Sequence, residues 1–371
     1  MPVPLLDLVT QYQTIRDEIE PALRTVIERQ GFVMGPEIPA LEVALAQLMG
    51  LRHGVACASG TDALLLPFRA IDLAAGDEVI APAFTFFATA GAIHNAGGKP
   101  VFVDIEADTF NISPAAIEAA ITPRTKAIVV VHLFGQMAAM EAIAPIAAKH
   151  GLKIIEDGAQ SIGARRKIDG VWRTPGQLGT VATLSFFPTK NLGGWGDGGM
   201  MLTDDDALGA RLATLRLHGG SKQYHHDEVG FNSRLDSLQA AVLLVKLRHL
   251  QQWNTARRAN AAYYATALAG IPQVTPPVVD AANEHIWHQY TIQAERRDEL
   301  MAHLKARGIG CAIYYPLPLH LQPCFANLGY QLGDLPVTEK AMTTVLSLPI
   351  YSELTHAHLD EVVAAIREFY A

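Results

Sequence analysis

Residues 125–160 read TKAIVVVHLFGQMAAMEAIAPIAAKHGLKIIEDGAQ. Two strand-like runs, Thr125–His132 and Leu152–Asp157, flank an alanine-rich segment of helical composition. The runs around Val129 and Ile154 are almost unbroken in apolar residues, as strands covered on both faces are. Strand, helix and strand in this order predict a parallel crossover unit with helices on both sides of a sheet.

The alternation extends in both directions. Earlier strand-like runs lie at His53–Ala58, Glu78–Pro82 and Pro100–Asp104, separated by further Ala-rich helical segments. Two later ones, Val181–Phe187 and Gly199–Thr203, follow without a long helix between them. The expectation is an α/β large domain with a mainly parallel seven-stranded sheet. Two helices, Tyr12–Arg29 and Pro36–Met49, open the chain with apolar residues at helical spacing and Gly31 and Gly50 past their ends. From Arg234 to about Leu268 the sequence is helical again, and the proline-rich stretch Pro272–Val279 punctuates it. A strand at His288–Ala294, a helix at Arg297–Arg307, a short strand and a last helix at Thr355–Tyr370 predict a smaller α+β domain. The expected division is 1–250 and 251–371, and no fixed repeat runs through the chain.

Composition bounds the function. Of 371 residues, 50% are hydrophobic and 18% charged, enough for a large core. The net charge is -8 and the Lys and Arg residues are scattered, so no basic face is expected for nucleic acid. The opening MPVPLLDLVTQY has no basic start and carries Asp7 in its short apolar run, unlike a signal peptide. No apolar run approaches the ~18 residues of a membrane helix. Cys57, Cys311 and Cys324 form no CxxC pair, which fits a reducing cytoplasm and argues against a disulfide framework or a zinc site.

In open α/β sheets ligands bind at the carboxyl ends of the strands, and three polar groups fall there. Ser59-Gly60-Thr61-Asp62 follows the first strand and opens a helix. Its glycine and free N–H groups suit a phosphate, although the same residues also make an ordinary cap. Asp157, in Glu156-Asp157-Gly158-Ala159-Gln160, ends a buried strand, where an acid needs a cation or hydrogen-bond donors. Capping again is the plainer alternative. Lys190, in Ser185-Phe186-Phe187-Pro188-Thr189-Lys190-Asn191, is delivered by an apolar strand among Phe186, Phe187 and Trp195. Such surroundings lower a lysine's pKa and suit Schiff-base chemistry. Phosphate cradle, acid and lysine together are what pyridoxal 5'-phosphate requires: an anion site, a partner for the ring nitrogen and an amine.

Other features carry less. Gly194, Gly196 and Gly199 match G-x-G-x-x-G, but they lie mid-chain and run into a strand rather than a helix. His218, His225 and His226 share no metal-ligand spacing with a carboxylate or Cys and read as polar or substrate-facing. Phe84, Phe86 and Phe87 follow a strand end and by composition alone suit a core. No nucleophile elbow, Walker loop or H-E-x-x-H is present.

Motifs along nearly the whole chain resemble the nucleotide-sugar aminotransferases of the DegT, DnrJ and StrS type, within the aspartate-aminotransferase-like fold. They are Pro4-Leu5-Leu6-Asp7-Leu8, Gly35-Pro36-Glu37, SGTDAL (59–64), PAFTFFAT (82–89), EDGAQS (156–161), SFFPTKNLG (185–193), GFNSRLDSLQAA (230–241) and YYPLPLHLQP (314–323). The resemblance implies that Lys190 forms the Schiff base, Asp157 pairs with the pyridine nitrogen and Gln160 lies near the ring hydroxyl. It implies that Phe86 stacks on the ring and that Gly60, Thr61 and Ser185 hold the phosphate. Asn232 matches an Asn that reaches the phosphate from a partner subunit, which implies a homodimer with shared active sites. Arg234, Tyr314, Tyr315 and His226 would face the substrate, a nucleotide-diphosphate keto sugar. Glutamate would be the amino donor, with pyridoxamine 5'-phosphate as the alternate cofactor form. Gly158 replaces the family's usual Ala, and Tyr314-Tyr315-Pro316 stands where members acting at C-3 often have His-Tyr-Pro. The lysine loop's ending, with Tyr224-His225-His226 and Asn232-Ser233-Arg234, looks most like enzymes that aminate a 3-keto sugar for polysaccharide or amino-sugar biosynthesis. A UDP-linked 3-keto uronic acid or a dTDP-3-keto-6-deoxyhexose fits, the first preferred. Amination at C-4 and a regulatory protein without turnover are the alternatives. A dehydratase of the same fold would carry His in place of Lys190.

Overall fold

The computed structural model describes residues 2–222 and 224–371. Helices α1 (Leu8–Arg29) and α2 (Glu37–Met49) open the chain. α1 starts earlier than its apolar spacing predicts because Asp7 caps it, its carboxylate accepting from the Thr10 N–H at 2.9 Å. Next come β1 (His53–Cys57), α3 (Gly60–Ala70), β2 (Glu78–Pro82), α4 (Ala88–Asn95), β3 (Lys99–Val103), α5 (Pro114–Ala120), β4 (Thr125–Val131), α6 (Met140–His150) and β5 (Lys153–Asp157). A hairpin of β6 (Arg165–Ile168) and β7 (Val171–Arg173) intervenes before β8 (Val181–Ser185) and β9 (Gly199–Thr203).

The central sheet has seven strands in the order β1-β9-β8-β5-β4-β2-β3. Only β9 opposes the others, being antiparallel to both β1 and β8. The expected mainly parallel seven-stranded sheet is therefore present. Alternation sends Val79, Ala81, Val129, Val131 and Ile155 into one buried cluster, and Ile80, Ile128, Val130 and Ile154 into another on the opposite face. This two-sided burial accounts for the unbroken apolar runs.

After α7 (Asp206–Leu215) and the β10–β11 hairpin (Gly220–Lys222, His225–His226), α8 runs unbroken from Ser237 to Leu268. Its first half packs on the large sheet's layer through Leu243 and Leu250, and its second half carries Ala261, Tyr264 and Leu268 into a separate cluster. That second cluster covers a three-stranded antiparallel sheet, β12 (Val274–Thr275), β14 (Tyr290–Ala294) and β15 (Val345–Leu348). α9 (Arg297–Ala306) and α11 (His356–Tyr370) pack into it. β13 (Asn283–Glu284) returns to pair with β6. α10 (Pro336–Thr344) is a further helix that the apolar pattern does not reveal. No helix among the described residues is long and apolar enough to cross a membrane.

Candidate active site

Asp157, Ser185 and the start of α3 all lie at carboxyl ends of parallel strands, where topology predicts a ligand. Asp157 closes β5 and is buried. One of its oxygens accepts from the Ala159 N–H (3.1 Å) and the other from the Thr89 hydroxyl (3.1 Å). Burial pushes its pKa above the usual carboxylate range; the Ala159 N–H and the Lys190 charge only partly offset this. Lys190 follows β8 after the turn in which its N–H donates to the Phe187 carbonyl at 2.9 Å. Burial lowers its ammonium to about 8, and Asp157 is the charge that opposes this shift. Acid and amine are thus both desolvated, and the two donors to Asp157 are both neutral.

The start of α3 meets the end of β8. Helix geometry leaves the Gly60 and Thr61 N–H groups without intrahelical acceptors, while Ser59 takes the Asp62 N–H at 3.1 Å. A Cβ on Gly60 would sit 2.6 Å from Ser185 Cβ and 2.7 Å from its Oγ. Only glycine lets the helix end come this close to the serine hydroxyl. The cradle is braced by Ser233, whose hydroxyl donates to Asp62 at 2.7 Å. Gly60→Ala is expected to raise the dissociation constant for pyridoxal phosphate about tenfold or more, since overpacking costs ~1–3 kcal/mol. Titration of the visible band against cofactor checks it.

Gln160 is fixed at both ends. Its Oε1 accepts from the Phe134 N–H at 2.7 Å and its Nε2 donates to the Tyr315 hydroxyl at 2.9 Å. Tyr315 stands edge-on to Phe84 at 5.8 Å and lies 6.5 Å from Phe86. Burial raises the Tyr315 pKa, so the phenol stays protonated, and with Gln160 donating to it, its O–H proton is free to point elsewhere. Phe86 keeps 59% of its surface exposed at the mouth of the site, a free aromatic face of the kind a planar ring stacks on. These residues fit pyridoxal phosphate: donors for its phosphate, a desolvated carboxyl for its ring nitrogen and a low-pKa amine for its aldehyde.

The remaining residues stand apart within one chain. Asn232 is exposed and pairs by backbone with Leu217; Arg234 and Tyr314 are half-buried. His226 lies on the β10–β11 hairpin, its Nδ1 at 3.0 Å from the His218 carbonyl, and lines an open cavity of about 520 Å³ with Glu228, Val229 and Gly230. Among the described residues none of Asn232, Arg234 and His226 hydrogen-bonds to the Lys190 set. His218 completes the cavity's lining. Thr89 and Ser233 were not singled out from the sequence, although both sit inside quoted motifs.

The DegT/DnrJ/EryC1/StrS aminotransferase family model matches residues 13–367. The chain is 52% identical to a pleiotropic regulatory protein of Geobacillus stearothermophilus, covering 100% of this chain and 99% of the relative. It is 45% identical to the UDP-N-acetyl-3-dehydro-alpha-D-glucosamine 3-aminotransferase of Acidithiobacillus ferrooxidans, over 98% of this chain and 97% of that one. Among solved structures, Streptomyces venezuelae DesV in complex with a ketimine intermediate superposes with a TM-score of 0.96 at 42% identity, covering 100% of this chain and 98% of DesV. With Lys190, Asp157 and the α3 cradle gathered at one edge of the sheet, the chain belongs to the DegT/DnrJ/EryC1/StrS aminotransferase family.

Proposed function

We propose that this enzyme moves an amino group from glutamate to C-3 of a nucleotide-linked keto sugar, with the UDP-linked 3-keto uronic acid preferred over a dTDP-3-keto-6-deoxyhexose. The observation that carries the reading is the placement of buried Asp157 and half-buried Lys190 together at the strand ends, each held toward its neutral form by loss of solvent. The 45% identity to an enzyme named for a UDP-linked 3-dehydro sugar supports the nucleotide and the carbon.

Pyridoxal phosphate supplies an electron-accepting ring that carries the amino group between donor and acceptor. Lys190 binds the cofactor through Nζ and, once released, holds or hands over a proton there; a pKa of about 8 suits both tasks near neutral pH. Asp157 keeps positive charge on the ring nitrogen. Gly60, Thr61 and Ser185 take the phosphate, Phe86 covers one ring face and Gln160 serves the ring hydroxyl. Asn232 completes the phosphate site of a second copy in a homodimer, which its exposure supports. Arg234, Tyr314, Tyr315 and His226 line the sugar-nucleotide side, in a cytoplasmic enzyme divided near residue 250 into a cofactor-binding part and a smaller second part.

The test uses the purified protein loaded with pyridoxal phosphate. Glutamate should bleach its visible band, the UDP-linked 3-keto sugar should restore it, and nitrogen from labelled glutamate should appear at C-3. Nitrogen at C-4 would move the reaction to the other carbon. A protein that neither binds cofactor nor bleaches would favour a regulatory role, the role in the name of the relative at 52% identity.

A further inference from the structure

A buried polar network lies behind Lys190 and plays no part in the chemistry above. Asn191 is 5% exposed, Asn254 of α8 1% and His288 6%. Carbonyl oxygens, which can only accept, fix every direction in it. Asn254 Nδ2 donates to the Ile162 carbonyl at 3.3 Å, so Asn254 Oδ1 accepts from Asn191 Nδ2 at 2.9 Å. Asn191 Nδ2 also donates to the Ile286 carbonyl at 3.1 Å, which leaves Asn191 Oδ1 to accept from His288 Nδ1 at 3.1 Å. His288 therefore carries its proton on Nδ1. Gly163 permits the closest approach: its φ is +85°, and a Cβ there would lie 3.0 Å from Asn254 Nδ2. The network joins four segments: the turn after Asp157, the lysine segment, α8, and the run that leads into β14.

We infer that His288 is a positioning residue for Lys190: its Nδ1–H locks the Asn191 amide, and with it the backbone from which Lys190 projects, against the turn that follows Asp157. The inference rests on Lys190 being the cofactor lysine. Charges around the ring are consistent with it. Burial first, then Lys190, Arg257 and His285, hold His288 well below its ordinary pKa. Arg257 of α8 is itself tied to the Trp287 and Ile350 carbonyls at 3.0 and 2.8 Å. Asp157 faces Lys190 from β5. The imidazole is thus neutral at working pH and adds no cation beside the amine. An apolar residue at 288 would leave Asn191 Oδ1 buried with no donor, a loss the segment relieves by moving toward water. Lys190 would then regain solvent and its pKa would climb.

The readout is the rate at which apoprotein captures pyridoxal phosphate, measured against pH, because the free amine is the capturing form. In the native protein this rate should level off above about 8. His288→Leu should shift the profile up by roughly one to two pH units, slowing capture at pH 7 by ~10- to 100-fold. His288→Asn places an amide nitrogen where Nδ1 stands and should restore the native profile. His288→Gln places it where Nε2 stands and should not. A native profile in the Leu variant, or restoration by Gln equal to that by Asn, would overturn the inference. The Asn–Gln comparison decides even if the Leu variant does not fold. Capture that survives unchanged in Lys190→Ala would overturn the cofactor-lysine reading, and this inference with it.

Discussion

Lys190→Ala is expected to lose amino transfer by ~10⁴-fold or more, because in the proposed reaction one residue supplies both the covalent attachment and the proton carrier. The variant should still bind the phosphate end of the cofactor, since the proposed cradle of Gly60, Thr61 and Ser185 is untouched, but without the visible band of the native holoprotein. Its apoprotein should also behave differently on a pH titration of stability. Burial lowers the folded-state pKa of Lys190 to about 8, while the unfolded chain keeps the ordinary value near ~10.5. Between these values the unfolded chain binds more protons, so stability rises with pH. The contribution is fully present above the unfolded value and lost as pH falls through about 8. At neutral pH, removing the amine should therefore stabilise the apoprotein by roughly 2 kcal/mol, allowing for partial exposure. Lys246, whose Nζ donates to the Gly193 carbonyl at 2.8 Å, is also lowered to about 8 and gives native protein and variant the same slope. The difference between their urea-unfolding curves from pH 7 to 10 isolates Lys190. A variant with native turnover, or no pH-dependent difference, would contradict the assignment.

The sequence exposes this site because its parts lie at strand ends and the strands are readable. Val129 and Ile154 sit in runs that bury both faces, and such runs are almost unbroken in apolar residues. Asp157 and Lys190 then stand out as charges at the ends of apolar segments. Where stability comes from charge rather than apolar period, the sequence is silent. The β6 strand reads Arg-Arg-Lys-Ile, and Arg166 is buried there only because Glu141 and Asp280 pair with it from distant segments. α10 alternates polar and apolar residues too loosely to show a face. The network of Asn191, Asn254 and His288 joins residues 63 and 97 positions apart, a separation no local pattern reports. Asn232 poses a different problem: its proposed partner is a second copy of the chain, so neither the sequence nor one chain's geometry assembles that contact.

Asp157→Asn should cut amino transfer by about 10³-fold while leaving the fold intact, within the usual range for an acid–base or charge-stabilising group. The amide matches the carboxylate in size. Its oxygen can accept from the Ala159 N–H, and its nitrogen can donate to the Thr89 hydroxyl once that hydroxyl turns toward Thr85, 3.3 Å away. Packing is therefore conserved, and only the charge is lost. That charge is what a ring nitrogen needs in order to stay protonated, and an amide of either orientation cannot supply it. The apoprotein should not suffer. Burial raises the folded-state pKa of Asp157 above its unfolded value, so the carboxyl's contribution is favourable at low pH and is lost as pH rises through the raised value. At neutral pH the native apoprotein holds a strained buried acid that the variant lacks, and the variant should melt no lower. The discriminating measurement pairs turnover with a cofactor whose ring nitrogen is permanently methylated. If Asp157 acts by holding charge on that nitrogen, the methylated cofactor recovers a large part of the lost activity in Asp157→Asn and gives none of that gain to Lys190→Ala. Equal failure of both variants with the methylated cofactor would mean that Asp157 serves chiefly to orient the ring through Thr89 and the turn at Ala159. The depressed lysine would then have to supply the electrostatic asymmetry of the site alone.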